Sequence, residues 1–169
     1  MAHVIAVAGK GGVGKTTLCG LLIQYLCDKR KTPVLAVDAD ANSNLNEVLG
    51  VDVEMTLGEI REDVERSADG STSKIPAGMS KADYMEMMVN RCLIEDDDFD
   101  MLVMGRTQGK GCYCFVNGLL QAQLAKLTPN YPYMVVDNEA GMEHISRGIL
   151  PKVDTIILVS DCSRRDVQI

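Results

Sequence analysis

Near its start the chain carries Gly9-Lys10-Gly11-Gly12-Val13-Gly14-Lys15-Thr16, a glycine, four residues, then glycine-lysine-threonine. An apolar, β-branched run at residues 4–8 precedes it. Leu18, Leu21, Leu22, Tyr25 and Leu26 follow at helical spacing across residues 17–27. A strand, a glycine-rich turn and a helix form the context in which this pattern grips phosphate. Glycines let successive backbone N–H groups curl around phosphate oxygens, and the helix N-terminus adds partial positive charge. Lys15 then reaches the β- and γ-phosphates of a nucleotide, and the Thr16 hydroxyl ligates Mg2+. The motif outweighs the alternative of a glycine-rich turn that binds nothing.

The remaining pattern fits that start. The 169 residues are the length of one domain, long enough to bury roughly 70% of the unfolded surface. Apolar runs at 34–37, 101–104, 133–137 and 155–160 read as further strands, and residues 57–66, 81–94 and 115–127 as helices. Alternation of this kind predicts an α/β fold, a mostly parallel sheet of about five strands flanked by helices, with residues 1–169 forming one domain. Residues 38–46 read as a polar loop at a strand end, and the acidic run at 95–98 as a solvated turn rather than a cation site.

Asp38 and Asp40 follow the second strand and Asp137 ends the fourth. In an open parallel sheet, ligands bind beyond the carboxyl ends of strands, so these acids fall near the phosphate loop, where carboxylates often hold Mg2+ through water. An aspartate at a strand end is elsewhere often a turn former or helix cap.

A second lysine inside the loop makes the pattern more specific. Lys10-Gly11-Gly12-Val13-Gly14-Lys15-Thr16-Thr17 resembles the deviant Walker A motif of the MinD/ParA group of P-loop ATPases, which includes the nitrogenase iron protein. The resemblance implies ATP contacts from Gly9, Lys10, Gly11, Gly12, Val13, Gly14, Lys15, Thr16 and Thr17. It also implies a nucleotide-sandwiched homodimer in which Lys10 reaches the partner's ATP, offsetting charge during phosphoryl transfer. Asp38-Ala39-Asp40 then becomes the first switch and Asp137-Asn138-Glu139-Ala140-Gly141 the second. Asp40 positions the attacking water, Asp137 joins the Mg2+ shell, and the Gly141 backbone senses the γ-phosphate. Asp38 fits either the metal or the water.

Six cysteines without an apparent export signal read as thiols or metal ligands rather than disulfides. Cys112-Tyr113-Cys114 opens the helix at 115–127. One such pair cannot complete a four-ligand site, but two pairs across a symmetric dimer supply four thiolates, which suit zinc or, in square-planar form, nickel. A helix N-terminus favours the thiolate. Two plain thiols are the alternative. Together with residues 136–148, Val-Asp-Asn-Glu-Ala-Gly-Met-Glu-His-Ile-Ser-Arg-Gly, this pair resembles the CooC-type nickel-insertion ATPases. That family implies one Ni2+ (or Zn2+) between the paired Cys112 and Cys114 of a dimer. The client would be carbon monoxide dehydrogenase or acetyl-CoA synthase. Its members are longer, so the resemblance implies that the later strands and the adenine-contacting segment lie beyond this chain. Cys19, Cys27, Cys92 and Cys162 read as packing residues, His3 as structural, and His144 as structural or switch-coupling rather than a metal ligand.

The balance of 17 basic against 24 acidic residues, net −7, speaks against nucleic-acid or membrane-surface binding, which rests on Lys and Arg. With no apolar run of membrane-spanning length, the sequence reads as cytoplasmic. Two other readings share the phosphate loop. A MinD/ParA-type spatial regulator is disfavoured by the acidity and the cysteine pair. An iron-protein-like reductase draws its cluster cysteines from two separated segments, unlike the single C-x-C here. A non-hydrolysing binder of metal or nucleotide is the remaining alternative.

Overall fold

The computed structural model describes residues 2–42, 44–68, 75–106, 114–139 and 148–161. Strands β1 (His3–Gly9), β2 (Val34–Ala39), β3 (Leu93–Glu95), β4 (Phe99–Val103), β5 (Tyr133–Asn138) and β6 (Thr155–Val159) form one sheet in the order β3-β4-β2-β5-β1-β6. All neighbours are parallel except β3 and β4, which form an antiparallel hairpin at one edge. Helices are α1 (Lys15–Asp28), α2 (Leu45–Leu49), α3 (Leu57–Ala68), α4 (Lys81–Arg91) and α5 (Cys114–Leu127).

Strand alternation divides the side chains between two cores. Val4, Ala6, Leu35, Val37, Leu102, Met134 and Val136 face α3, α4 and α5, packing against Leu57, Ile60, Met88, Leu120 and Leu124. The intervening residues Val7, Val34, Ala36, Met101, Val103 and Val135 face α1 and α2, against Cys19, Ile23, Leu26 and Leu45. Helices on both faces are why the central strands read as unbroken apolar runs. Each fully buried aliphatic side chain contributes about 1.5–3 kcal/mol, so the two cores hold the sheet and with it the strand ends.

The sheet has six strands where the sequence pattern predicts about five. The helix expected over residues 81–94 stops at Arg91, where the Cys92 N–H turns back to the Val89 carbonyl. Leu93 and Ile94 then pair with Leu102 and Met101. The acidic run forms the exposed turn of that hairpin, with Asp96 N–H donating to the Phe99 carbonyl at 3.0 Å. A second difference is α2, which lies inside the stretch read as a polar loop and just beyond it. A single turn is too short to leave a periodic signal. At the opposite edge, β6 exposes Ile156 and Leu158 on the face away from α1.

Candidate functional site

The carboxyl ends of β1, β2 and β5 meet at one place. Val7 is level with Asp137, and Asp38 lies beside Asp137 on the neighbouring strand. Both aspartates alternate onto the α1 face of the sheet, in step with Val135 and Ala36. The phosphate loop leaves the end of β1 above them and enters α1 through Gly14, whose φ of 92° is a left-handed conformation suited to glycine. That turn lets the chain reverse directly into a helix whose first N–H groups remain unpaired by the helix itself.

Lys15 is the first residue of α1 and is only 7% exposed. Its Nζ donates to the Lys10 carbonyl at 2.9 Å, so the cation lies within the loop itself. Lys10, Gly11, Gly12 and Gly14 are exposed, Val13 and Thr16 half-buried, and Thr17 exposed. The loop therefore presents its backbone outward and its second lysine inward.

Asp137 is 1% exposed, and burial raises its carboxyl above the usual range; the Thr16 hydroxyl and the Lys15 ammonium oppose that rise. The Cys19 thiol, on the buried stripe of α1, also opposes that rise. Asp137 Oδ1 is buried and has no hydrogen-bond partner. A buried carboxylate oxygen without a partner is costly unless something else completes it. With the Thr16 hydroxyl alongside, the hard oxygen donors present fit Mg2+.

Asp38 has a different environment. It is fully buried, Oδ1 accepts from the Asp40 N–H at 3.0 Å, and Oδ2 accepts from the Leu45 N–H at 3.0 Å. It thereby folds the loop that carries Asp40 and caps the start of α2. Burial pushes its carboxyl up to about 6, against the lowering effect of those two N–H groups and with a further rise from neighbouring Asp137. Asp40 is half-exposed at the turn, with Oδ1 accepting from the Asn42 N–H at 2.8 Å. The Arg106 guanidinium, beyond β4, hydrogen-bonds Asn42 Oδ1. Asn138, next to Asp137 but on the other face of the sheet, anchors β5 to β1 by donating to the Val7 carbonyl at 3.0 Å.

Lys10, Lys15, Thr16, Asp38, Asp40 and Asp137 thus come from three strand ends to one locus. Gly141, Cys112 and His144 lie outside the described residues, as does Cys162. Cys114, the first residue of α5, is exposed and disulfide-bonded. The expectation of thiols rather than disulfides therefore fails at Cys114, while Cys19, Cys27 and Cys92 are free thiols. Cys19 and Cys92 are buried and Cys27 half-buried. His3 is exposed and shares a hydrogen bond with Thr155 Oγ1 at 2.9 Å. Among the described residues, no cluster of three or more His, Cys, Asp or Glu side chains has metal-holding geometry. None of their helices is long and apolar enough to cross a membrane. Sequence reasoning passed over Arg106 and the burial of Cys19 on the α1 face shared with Asp137, and gave Asn138 no role beyond membership of the second switch. Cys19 was within reach of that reasoning, because it lies one helical turn beyond Lys15 on the same face.

Residues 2–168 match the family model described as "AAA domain". An uncharacterized ATP-binding protein of Methanocaldococcus jannaschii is 47% identical over 162 residues, covering 96% of this chain and 63% of that protein. The carbon monoxide dehydrogenase accessory protein CooC of Rhodospirillum rubrum is 30% identical over 171 residues, covering 97% of this chain and 65% of that one. The chain thus spans less than two thirds of the length of either relative. Among solved structures, the septum site-determining protein MinD of Pyrococcus horikoshii, complexed with Mg-ADP, superposes with a TM-score of 0.63 at 22% identity. That match covers 99% of this chain and 61% of MinD. Sheet, phosphate loop and family match agree: the chain belongs to the AAA-domain family of P-loop ATPases, with the MinD/ParA fold.

Proposed function

We propose that this chain is the nucleotide-operated part of a homodimeric ATPase that carries one nickel (or zinc) ion between paired Cys112 and Cys114 and delivers nickel to a client enzyme. The observation that carries the ATPase half is the convergence of Lys15, Thr16, Asp40 and Asp137 at the carboxyl end of the sheet. Lys15 leaves its loop carbonyl to bind the β- and γ-phosphates. Thr16 and Asp137 hold Mg2+, which when bound neutralises charge on those phosphates. Asp38 keeps the Asp40 loop in shape, its two oxygens being occupied by backbone N–H groups, and Asp40 orients the attacking water. Lys10, exposed at the loop, reaches the nucleotide of a second copy, and the Gly141 backbone registers the γ-phosphate, as the family resemblance implies. Hydrolysis then reopens the dimer.

The metal half is supported by the C-x-C pair at the start of α5 and by the 30% identity to the CooC accessory protein. The two thiols would ligate the metal as thiolates, so the test below uses protein reduced beforehand with excess dithiothreitol. The client is carbon monoxide dehydrogenase or a related nickel enzyme such as acetyl-CoA synthase; nucleic acid and membranes are not partners, and the protein acts in the cytoplasm.

The test is transfer. Reduced, nickel-loaded protein is incubated with nickel-free carbon monoxide dehydrogenase, with ATP or a non-hydrolysable analogue. Activation that requires both hydrolysis and the cysteine pair supports the proposal. Dimerisation and hydrolysis without any metal cargo would instead favour a spatial switch of the MinD/ParA type.

A further inference from the structure

The apolar spacing along residues 17–27 reads as one helix face, yet the structure divides it between two sides of α1. Cys19, Ile23 and Leu26 take the buried stripe, while Leu21 and Tyr25, one turn apart, stand 60% and 57% exposed. A surface helix that is apolar on both sides has a second face to cover. Beside it runs a groove of about 620 Å3, walled by α1, by Val48 and Leu49 of α2, and by the β3–β4 turn with Phe99. Along α1 the groove touches Thr17, Leu21, Gln24 and Asp28, a single stripe at helical spacing. From Thr17 to Asp28 the helix rises about 16 Å, the length of roughly three helical turns. Val48, on the facing wall, is 47% exposed.

One end of the groove is acidic. Asp28 closes α1, and Asp96, Asp97 and Asp98 form the hairpin turn opposite; all four are exposed. Among the described residues, none of these carboxylates forms an ion pair. We infer that the groove docks an amphipathic helix of another protein, about three turns long, apolar on one face and carrying Lys or Arg at the end that meets the acidic turn. The apolar walls cover the leucine-type side chains of that helix. The unpaired carboxylates face its cations, and this complementary charge fixes the direction in which the helix lies. Thr17 is the one lining residue shared with the expected ATP contacts, and none comes from the proposed Mg2+ or cysteine sites.

The probe is a fluorescein-labelled helical peptide of about 14 residues, with leucines on one face, glutamines on the other and lysines in its last turn. Anisotropy titrations follow its binding to wild type and variants, thermal melting confirms that each variant is folded, and amide NMR shifts map the footprint. The expected result is saturable binding with shifts at Thr17, Leu21, Val48 and Asp97. Asp96→Asn/Asp97→Asn/Asp98→Asn weakens it by about tenfold or more and Leu21→Ser by about fivefold. Asp52→Asn/Glu54→Gln/Glu86→Gln, which removes the same charge outside the groove, stays within about twofold of wild type. A peptide with glutamates in place of the lysines does not bind. No saturable binding, a footprint elsewhere, or equal loss in both triple variants overturns the docking site. Self-association of the peptide-free protein that the groove variants abolish would place a second copy in the groove and overturn the partner helix.

Discussion

Three aspartates of one residue type have three environments at this site, and their surroundings set their roles. Asp40 is half-exposed at a turn, Asp137 is buried with one oxygen unpartnered, and Asp38 is buried with both oxygens taken by backbone N–H groups. The buried Lys15 ammonium acts directly on the Asp137 carboxyl, so Lys15→Ala should lower the rate of phosphate release at saturating ATP by about 100-fold or more. A stopped-time phosphate assay on the folded variant checks this. Asp38 carries a pH signature. Its folded-state carboxyl, raised from 3.8 to about 6, binds a proton more tightly than in the unfolded chain. That stabilisation is therefore complete below about pH 4, is lost as pH climbs through 6, and amounts to on the order of 2–3 kcal/mol. In nucleotide-free protein, urea melts from pH 4 to 7 should show a component of falling stability that is absent from Asp38→Asn. Equal slopes for the two proteins would contradict the assignment. The identity of these acids was legible in the sequence from their place after apolar runs. Their division of labour was not, because it depends on which face of the sheet each residue takes and on the N–H groups of a helix turn seven residues further on.

At the scale of elements, the strands around the phosphate loop were legible because burial on both faces forces continuous apolar runs. The outer hairpin was missed because Leu93 and Ile94 continue the apolar spacing of α4, and only the turn at residues 96–98 separates them from β4. Docking of α3 also depends on a cap that the Thr56-Leu57-Gly58-Glu59 spacing announces and on a glycine contact that no pattern does. Thr56 and Glu59 form a reciprocal cap at the start of α3, the Thr56 N–H donating to Glu59 Oε2 at 2.7 Å and the Glu59 N–H to Thr56 Oγ1 at 3.3 Å. Gly105, just beyond β4, packs against that cap with φ +70°, and a Cβ there would stand 2.5 Å from both Thr56 Cβ and Oγ1. Gly105→Ala should therefore destabilise the fold by about 2 kcal/mol, a fall of roughly 4–8 °C in Tm. Calorimetry reads it directly, and an unchanged Tm would show that α3 can shift without cost.

For the whole molecule, the fold places a nucleotide site at the carboxyl end of the sheet and starts α5, with Cys114 as its first residue, soon after β4 ends. Phosphate chemistry was readable from the contiguous residues 9–17. The proposed metal cargo rests on family likeness, because a C-x-C pair needs a second copy of the chain to become a site. Lys10 carries the same dependence on a second copy. Lys10→Ala should keep nucleotide affinity within about threefold of wild type but lose ATP-dependent dimerisation and at least tenfold of the hydrolysis rate, as loss of a trans-acting cation does. Light scattering with an ATP analogue separates this outcome from a simple binding defect. The central claim is most directly tested by metal content per dimer in reduced protein, with and without ATP, for wild type and for Cys112→Ser/Cys114→Ser. The account predicts about one nickel or zinc ion per dimer in the wild type and none in the double variant. A wild-type dimer that forms with ATP and holds no metal would contradict it.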